Sequence, residues 1–280
     1  YNDVNIIGTA NMLELLANKN HKIEKMVIAS SRAIYGEGKY LCSKHGVIYP
    51  PQRNESDMGK GEFNPKCDIC NSQLQLVATD ENSKIHPLSI YGITKQQQEQ
   101  MVMTTGESLG IASVGFRYQN VYGPGQSLSN PYTGILSIFS TRILNGNDLD
   151  IYEDGEESRD FVYIDDVVDA TILGIEKKEA NGQVFNVGSG VTTTVREVAE
   201  SLKKYYNSDI NISISGKYRL GDIRHNYADL TKIKEALGFS PKYDFQKGIS
   251  KFVNWVKTQE IMEDKYEESI EELRNKGLMK

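Results

Sequence analysis

Residues 25–36 read Lys-Met-Val-Ile-Ala-Ser-Ser-Arg-Ala-Ile-Tyr-Gly. Positions 25–30 form a short apolar run between polar segments, the pattern of a buried strand. The Ser30-Ser31 pair then falls at the strand's carboxyl end, where open α/β sheets meet their ligands. Taken alone, such a pair could equally do no more than cap the strand end. Upstream, residues 3–18 set Val4, Ile7, Leu13, Leu15 and Leu16 among polar side chains and read as a helix. Downstream, the pattern predicts a helix over 91–109, a strand over 111–117, an amphipathic helix over 133–146 and a short strand over 161–164. A helix over 165–178 follows, with Asp165 and Asp166 in its first turn, as the helix dipole prefers. Residues 183–187 read as a strand. Thr194 and Glu197 carry the capping-box signature of a helix over 195–206. Residues 210–215 alternate like an edge strand, and 245–280 read as one long polar helix. Strands that alternate with helices predict an α/β fold with a mostly parallel sheet.

A second stretch carries chemistry: Ser89-Ile90-Tyr91-Gly92-Ile93-Thr94-Lys95. On a helix, Tyr91 and Lys95 share a face at i and i+4. A phenol has an ordinary pKa near ~10, and a neighbouring ammonium favours its phenolate and suits it to general-base work. In a chain with 16 tyrosines, a lone Tyr-x-x-x-Lys also arises by chance.

Composition narrows the class. The chain has 280 residues, 39% apolar and 25% charged, with a net charge of −6. Disordered, collagen-like and coiled-coil chains do not look like this. An acidic balance argues against nucleic acid as the main partner. No apolar run approaches a membrane span. Three cysteines and no basic-apolar leader fit a cytoplasmic protein better than a disulfide scaffold.

Together the blocks resemble the extended short-chain dehydrogenase/reductase family, in particular its nucleotide-sugar epimerases and dehydratases. The likeness spans about Val4 to residue 255. It rests on Asn5-Ile6-Ile7-Gly8-Thr9, on Ser-Ser-x-x-x-Tyr-Gly at 30–36 and on Tyr91-x-x-x-Lys95. It continues in Arg117-Tyr118-Gln119-Asn120-Val121-Tyr122-Gly123-Pro124, in Asp154-Gly155 with Arg159-Asp160-Phe161-Val162-Tyr163, and in Arg219-x-Gly221-Asp222-x-Arg224-His225. The resemblance implies Ser31, Tyr91 and Lys95 as catalytic residues, with Asn5, Tyr91 and Lys95 near the cofactor NAD. Ser31, Asn120, Arg159, Arg219 and Asp222 would contact a nucleotide-diphosphate sugar. A surface ion pair for Arg159 and a plain Gly-Asp turn for Asp222 are the alternatives. His225 reads as structural or solvated, with substrate contact as its alternative. A homodimer through helices including the Tyr91 helix is also implied.

Two departures sharpen the reading. Dehydratases of the family follow the catalytic hydroxyl residue with Asp-Glu, but this chain has Arg32-Ala33. Alanine moves no proton, so redox at C4 with epimerisation is the expected reaction. A 4-reductase, or a non-enzymatic binding module or pseudoenzyme, are the alternatives. Dinucleotide binding also needs a Gly-rich strand-to-helix turn. The Gly-x-Gly pairs at 36/38, 59/61, 123/125 and 188/190 do not supply one. The expectation is therefore a piece of a larger enzyme, inactive by itself. Its fold would be a doubly wound parallel Rossmann-type sheet lacking its first strands, with a smaller mixed α/β substrate lobe. Residues 1–36 and 87–125 would form the Rossmann-type part and 37–86 an insertion. Residues 126–257 would be mainly substrate lobe with some returning Rossmann elements, and 258–280 a charged, solvated helix.

The insertion holds every cysteine. Cys42, His45, Cys67 and Cys70 form two pairs with two-residue spacers. That spacing suits a tetrahedral Cys₃His zinc site of structural type, stapling a segment too small and polar to fold alone. Three unrelated thiols beside a chance histidine, or a nucleic-acid-binding knuckle, are the alternatives. A similar insertion is a feature of a bacterial subgroup resembling the dTDP-L-rhamnose 4-epimerases, which directs the substrate expectation to dTDP- or UDP-hexoses.

Overall fold

A computed structural model describes residues 1–129 and 134–280. Three parallel strands form the central sheet, in the order Lys25–Ser31, Ala112–Tyr118, Gln183–Val187. Lys25 stands opposite Ala112, and Gln183 opposite Val114. The middle strand is buried almost throughout, which its apolar run requires of a strand covered on both faces. Helices cover both faces, so the doubly wound architecture holds for the strands described. Gly8–Asn18, entered through π-helical turns at Asn2–Ile7, packs with Ile90–Leu109 on one side. Ile164–Glu176 and Thr231–Leu237 lie on the other. There Phe116, Phe185, Val187, Ile233 and Leu237 form one core. The Lys25 ammonium reaches across to the carbonyls of Gly174 (3.0 Å) and Lys177 (2.9 Å), closing the exposed C-terminal end of that helix.

A second core surrounds Tyr122, Phe139, Phe161, Leu202 and Phe252. It joins Ile135–Leu144, Val195–Tyr206 and Phe245–Val256 beside the short parallel pair Asn120–Tyr122 and Phe161–Tyr163. The Thr194–Glu197 capping box is present in both directions. The helix expected from residue 133 is Ile135–Leu144, and position 133 lies outside the described residues. The strand expected over 210–215 is only Ile212–Ile214, parallel to Leu149–Ile151.

The helix expected over 245–280 is two. Phe245–Val256 ends where its apolar face ends, and Tyr266–Asn275 begins afresh. Neither Pro nor Gly marks the break; tertiary partners set it. Asn145 holds the Met262 carbonyl (2.9 Å), Asn147 holds Asp264 (2.7 Å), and Asp264 accepts from the Tyr266 amide (3.0 Å). Nor is the final helix simply solvated. Ile270 is buried, and the Tyr266 ring packs beneath the Arg142 guanidinium at 4.1 Å.

Residues 37–86, read from sequence as loop or insertion, contain an antiparallel sheet of Tyr40–Cys42, Gly46–Ile48 and Gln75–Leu76, and the short helix Glu55–Met58. Among the described residues, no helix is long and apolar enough to cross a membrane.

One glycine shows how closely helix and sheet approach. A Cβ on Gly174 would stand 2.2 Å from Phe116 Cζ, and the Phe116 ring is fully buried. Gly174→Val is expected to lower unfolding stability by about 1–3 kcal/mol through overpacking. Urea denaturation checks this, and an unchanged midpoint would contradict the packing described.

Candidate active site

The site begins where the Lys25–Ser31 strand ends. The chain turns there through a 3₁₀ segment, Arg32–Tyr35, whose first amide pair is anchored by the Ser31 hydroxyl accepting from the Ala33 N–H at 3.2 Å. Ser89 caps the helix Ile90–Leu109 by accepting from the Gly92 amide at 3.0 Å. Gly92 is required at this junction, because a Cβ would lie 2.6 Å from the Ala33 carbonyl oxygen. The helix therefore starts directly against the Ser31 turn and sets Tyr91 beside Arg32.

Tyr91 is 37% exposed, leaving its phenol open to a ligand, and its ring lies 5.3 Å from that of Tyr1. Lys95 follows one turn later. Its ammonium donates to Gln98 Oε1 at 2.8 Å, and burial lowers its pKa. Gln98 in turn donates to Thr9 (2.8 Å), and Asn5 donates to Thr94 Oγ1 (3.0 Å). Asn5, Tyr91 and Lys95 thus belong to one packed helix pair.

Behind them, Tyr35 explains its place in the Tyr-Gly motif. Its buried hydroxyl accepts from Arg117 (2.7 Å) and donates to Asn186 (2.9 Å), while Arg117 also makes a forked pair with Glu99 at 2.6–3.2 Å. This relay ties the Ser31 turn, the Tyr91 helix and two sheet strands together.

In front lies a cavity of about 490 Å³, within the range of small-molecule sites. Arg32, Asn120, Glu157, Arg159, Arg219 and Asp222 all line it. The Asn120 Oδ1 atom is buried with no hydrogen-bond partner among the described residues. Arg159 is not in a surface ion pair: it donates to the carbonyls of Ser158 (2.9 Å), Arg224 (3.0 Å) and Ile223 (2.8 Å). Arg219 and Asp222 are partly exposed and 3.8 Å apart. The final helix closes one side with Tyr266, Ile270 and Leu273. His225 does not line the cavity; its Nδ1 is 2.8 Å from the Ser158 hydroxyl, and burial pulls its pKa down to about 3.

The loop that carries Arg219 and Asp222 is fixed from the insertion. Arg53 donates to the Asp222 carbonyl (2.8 and 3.3 Å) and makes a forked pair with Glu153 (2.7 and 2.8 Å). Arg224 also pairs with Glu153 (2.9 Å) and forks onto Asp154 (2.7 and 2.8 Å). Glu37 accepts from the Arg224 amide at 2.8 Å. Sequence reading missed Arg53, Glu37 and Glu153 altogether, and used Arg32 only as a departure. Arg32 could have been found by its place right after Ser31; the others carry no local signal.

At the insertion's far end, Cys42, His45, Cys67 and Cys70 converge, with their ligand atoms within 4.8 Å of one another. Cys42 Sγ lies 3.6 Å from His45 Nδ1 and 3.7 Å from Cys70 Sγ, and Cys67 Sγ lies 3.5 Å from His45 Nδ1. The Ser72 hydroxyl touches the Cys70 thiol at 3.0 Å.

Residues 70–188 match the family model described as the NAD dependent epimerase/dehydratase family. The dTDP-L-rhamnose 4-epimerase of Burkholderia thailandensis is 31% identical over 253 residues, covering 90% of this chain and 68% of that protein. The chain belongs to the NAD dependent epimerase/dehydratase family. A putative UDP-glucose 4-epimerase of Methanocaldococcus jannaschii is 32% identical over 91% of this chain and 70% of its own. Among solved structures, the UDP-glucose 4-epimerase of Thermotoga maritima with UDP-glucose superposes with a TM-score of 0.69 at 32% identity, covering 90% of this chain and 69% of that one. A UDP-N-acetylglucosamine 4-epimerase of Methanobrevibacter ruminantium gives 0.71 at 30% identity, covering 93% and 71%. In this family member, Ser31, Tyr91 and Lys95 do not line the cavity themselves; Arg32, next after Ser31, and Tyr1, whose ring lies against Tyr91, do.

Glu157 offers a check on the cavity's electrostatics. Its Oε2 is buried without a partner among the described residues. Burial first, and then the charge of Glu153, raise its pKa to about 7, against weaker opposing pulls from Arg159 and Arg224. The folded protein therefore binds this proton more tightly than the unfolded chain. Its stabilising contribution is full below the ordinary carboxyl range near ~4.3 and is lost as pH rises towards 7. Glu157→Gln is expected to match the wild type in thermal melting at pH 5 and to exceed it at pH 8. A constant difference between the two across that range would refute the assignment.

Proposed function

We propose that the protein is an NAD-dependent nucleotide-sugar 4-epimerase acting on a dTDP- or UDP-hexose. The observation that carries this reading is the junction at Gly92, which brings the first turn of the Tyr91 helix against the Ser31 turn, whose next residue, Arg32, lines the cavity. Asn5, Tyr91 and Lys95 share one helix pair and suit the nicotinamide-ribose end of NAD. That cofactor, when bound, supplies hydride acceptance and return at the sugar's C4. Tyr91 takes the proton of the C4 hydroxyl and gives it back. Lys95, half-buried one helix turn further on, would hold the nicotinamide ribose. Ser31 hydrogen-bonds the reacting hydroxyl. Arg219 holds the diphosphate with forked donors, Arg159 adds its charge and the donors its three carbonyl bonds leave over, Asn120 contacts the sugar-diphosphate, and Asp222 meets the nucleotide ribose. Alanine at position 33 leaves no acid for dehydration.

Apolar residues exposed on the helix pair, Met12 and Leu15 on one helix and Ile93 on the other, support a homodimer through these helices. A cytoplasmic setting accords with three free cysteines, none of them in a disulfide.

Proton NMR of dTDP-L-rhamnose and UDP-glucose with NAD⁺ tests the reading. A C4 epimer that grows to equilibrium without 340 nm absorbance supports it. Conversion only with NADPH would make the protein a reductase instead. Tyr91→Phe is expected to slow turnover at least about 100-fold, the scale of a lost general base.

We also propose a structural zinc at Cys42, His45, Cys67 and Cys70. Tetrahedral zinc with its usual bond lengths requires about 3.8 Å between sulfurs and about 3.6 Å between sulfur and nitrogen. The separations of 3.7 Å and of 3.5 and 3.6 Å match those edges. With four protein ligands, the ion has no open position for chemistry. One zinc per chain by atomic absorption is expected, with a lower melting temperature after chelation or in Cys67→Ser. A metal-free chain whose melting ignores chelators would exclude it.

A further inference from the structure

We propose that Arg32 binds an anionic group of the substrate, either a phosphate of the diphosphate or an acid group on the sugar. This rests on the nucleotide-sugar reading of the cavity and deepens it.

Arg32 directly follows Ser31 and lines the cavity, half-buried. Among the described residues its guanidinium has neither a hydrogen-bond partner nor an ion pair. The buried arginines elsewhere behave otherwise. Arg53, Arg117, Arg142 and Arg224 all pair with carboxylates. Arg159, a second half-buried cation of the cavity, gives both terminal nitrogens to carbonyls, three bonds in all. A guanidinium offers five N–H donors, and those of Arg32 stay accessible from the cavity it lines. The surroundings also oppose the charge: burial, and then the neighbouring Arg159, pull the Arg32 pKa down to about 9. The acids near it do not cancel this, since neither Asp222 nor Glu37 reaches it at ion-pair distance. A half-buried cation that faces the cavity, beside a second cation and without a protein partner, is a poor structural anchor. It is a ready receptor for a ligand's negative charge, which would satisfy its donors and relieve the repulsion together. Its place beside Tyr91 puts that charge near the reacting end of the sugar.

The test is calorimetric titration of wild type and Arg32→Gln with UDP, UDP-glucose and UDP-glucuronate, together with thermal melting without ligand. The free variant is expected to melt no lower than the wild type, because no contact is lost; a clear drop would mark Arg32 as a structural residue and overturn the proposal. If Arg32 holds phosphate, the variant binds all three ligands roughly tenfold or more weakly. If it holds an acid on the sugar, only UDP-glucuronate weakens, and the wild type prefers it to UDP-glucose. Equal affinities of wild type and variant for all three overturn the proposal and leave the nucleotide-sugar reading standing. A wild type that binds none of the three, nor dTDP-L-rhamnose, removes that reading and the role of Arg32 with it.

Discussion

The buried carboxylate of Glu153, gripped by Arg53 and Arg224, is the contact on which the cavity's geometry depends. Its backbone sits in the left-handed region, at φ 51°, where a residue with a Cβ is strained. Such strain persists only when the surroundings over-determine it. Here two guanidinium groups do so, Arg53 by a fork and Arg224 by a single bond, both buried along with the carboxylate they share. Desolvating three charges is expensive, and the cluster need not add net stability against an apolar alternative. What it adds is directional. Arg53 comes from the insertion, Glu153 from the turn after Leu149–Ile151, and Arg224 from the loop bearing Arg219 and Asp222. Removing one partner would leave a buried charge unmatched, so the three segments keep one relative placement. The insertion therefore braces the loop that lines the cavity, through Arg53, without lining the cavity itself.

The reacting end is fixed by a different device. There a close backbone approach does the positioning: Gly92 lets the Tyr91 helix begin against the Ala33 carbonyl. The Tyr35–Arg117–Glu99 relay then locks the rotation of that helix, because Glu99 lies two turns further along it. Steric fit sets the distance, and hydrogen bonds set the angle. The Ser31 turn and Tyr91 are thus held by the core, whereas Arg219 and Asp222 are held by a polar clasp.

How much of this was legible in the sequence follows from the range of each interaction. The Lys25–Ser31 strand, the Tyr91 helix with its Lys95 and the Thr194–Glu197 capping box rest on spacings of a few residues, and all are present. The Cys/His cluster was visible for the same reason, two short pairs. The break between Phe245–Val256 and Tyr266–Asn275 was not, because Asn145 and Asn147 decide it from more than a hundred positions away. Arg53 meets Glu153 across a similar separation. Such pairs leave no period and no motif, only a charged residue that looks solvated.

Position 32 shows a subtler limit. Read against its relatives' dehydratases, Arg32 stands for what the chain lacks, a carboxylate beside the reacting hydroxyl. Seen in the cavity, it is an added charge. The chain as a whole carries a net charge of −6, yet Arg32, Arg159 and Arg219 gather in one hollow where Glu157 is held near neutrality by burial. Low-dielectric walls focus such a field and draw anions towards the opening. Asp150 and Asp222 line the same hollow, so the added charge of Arg32 tips a near balance, and the substitution that removes an acid from the chemistry also turns the hollow towards an anionic ligand.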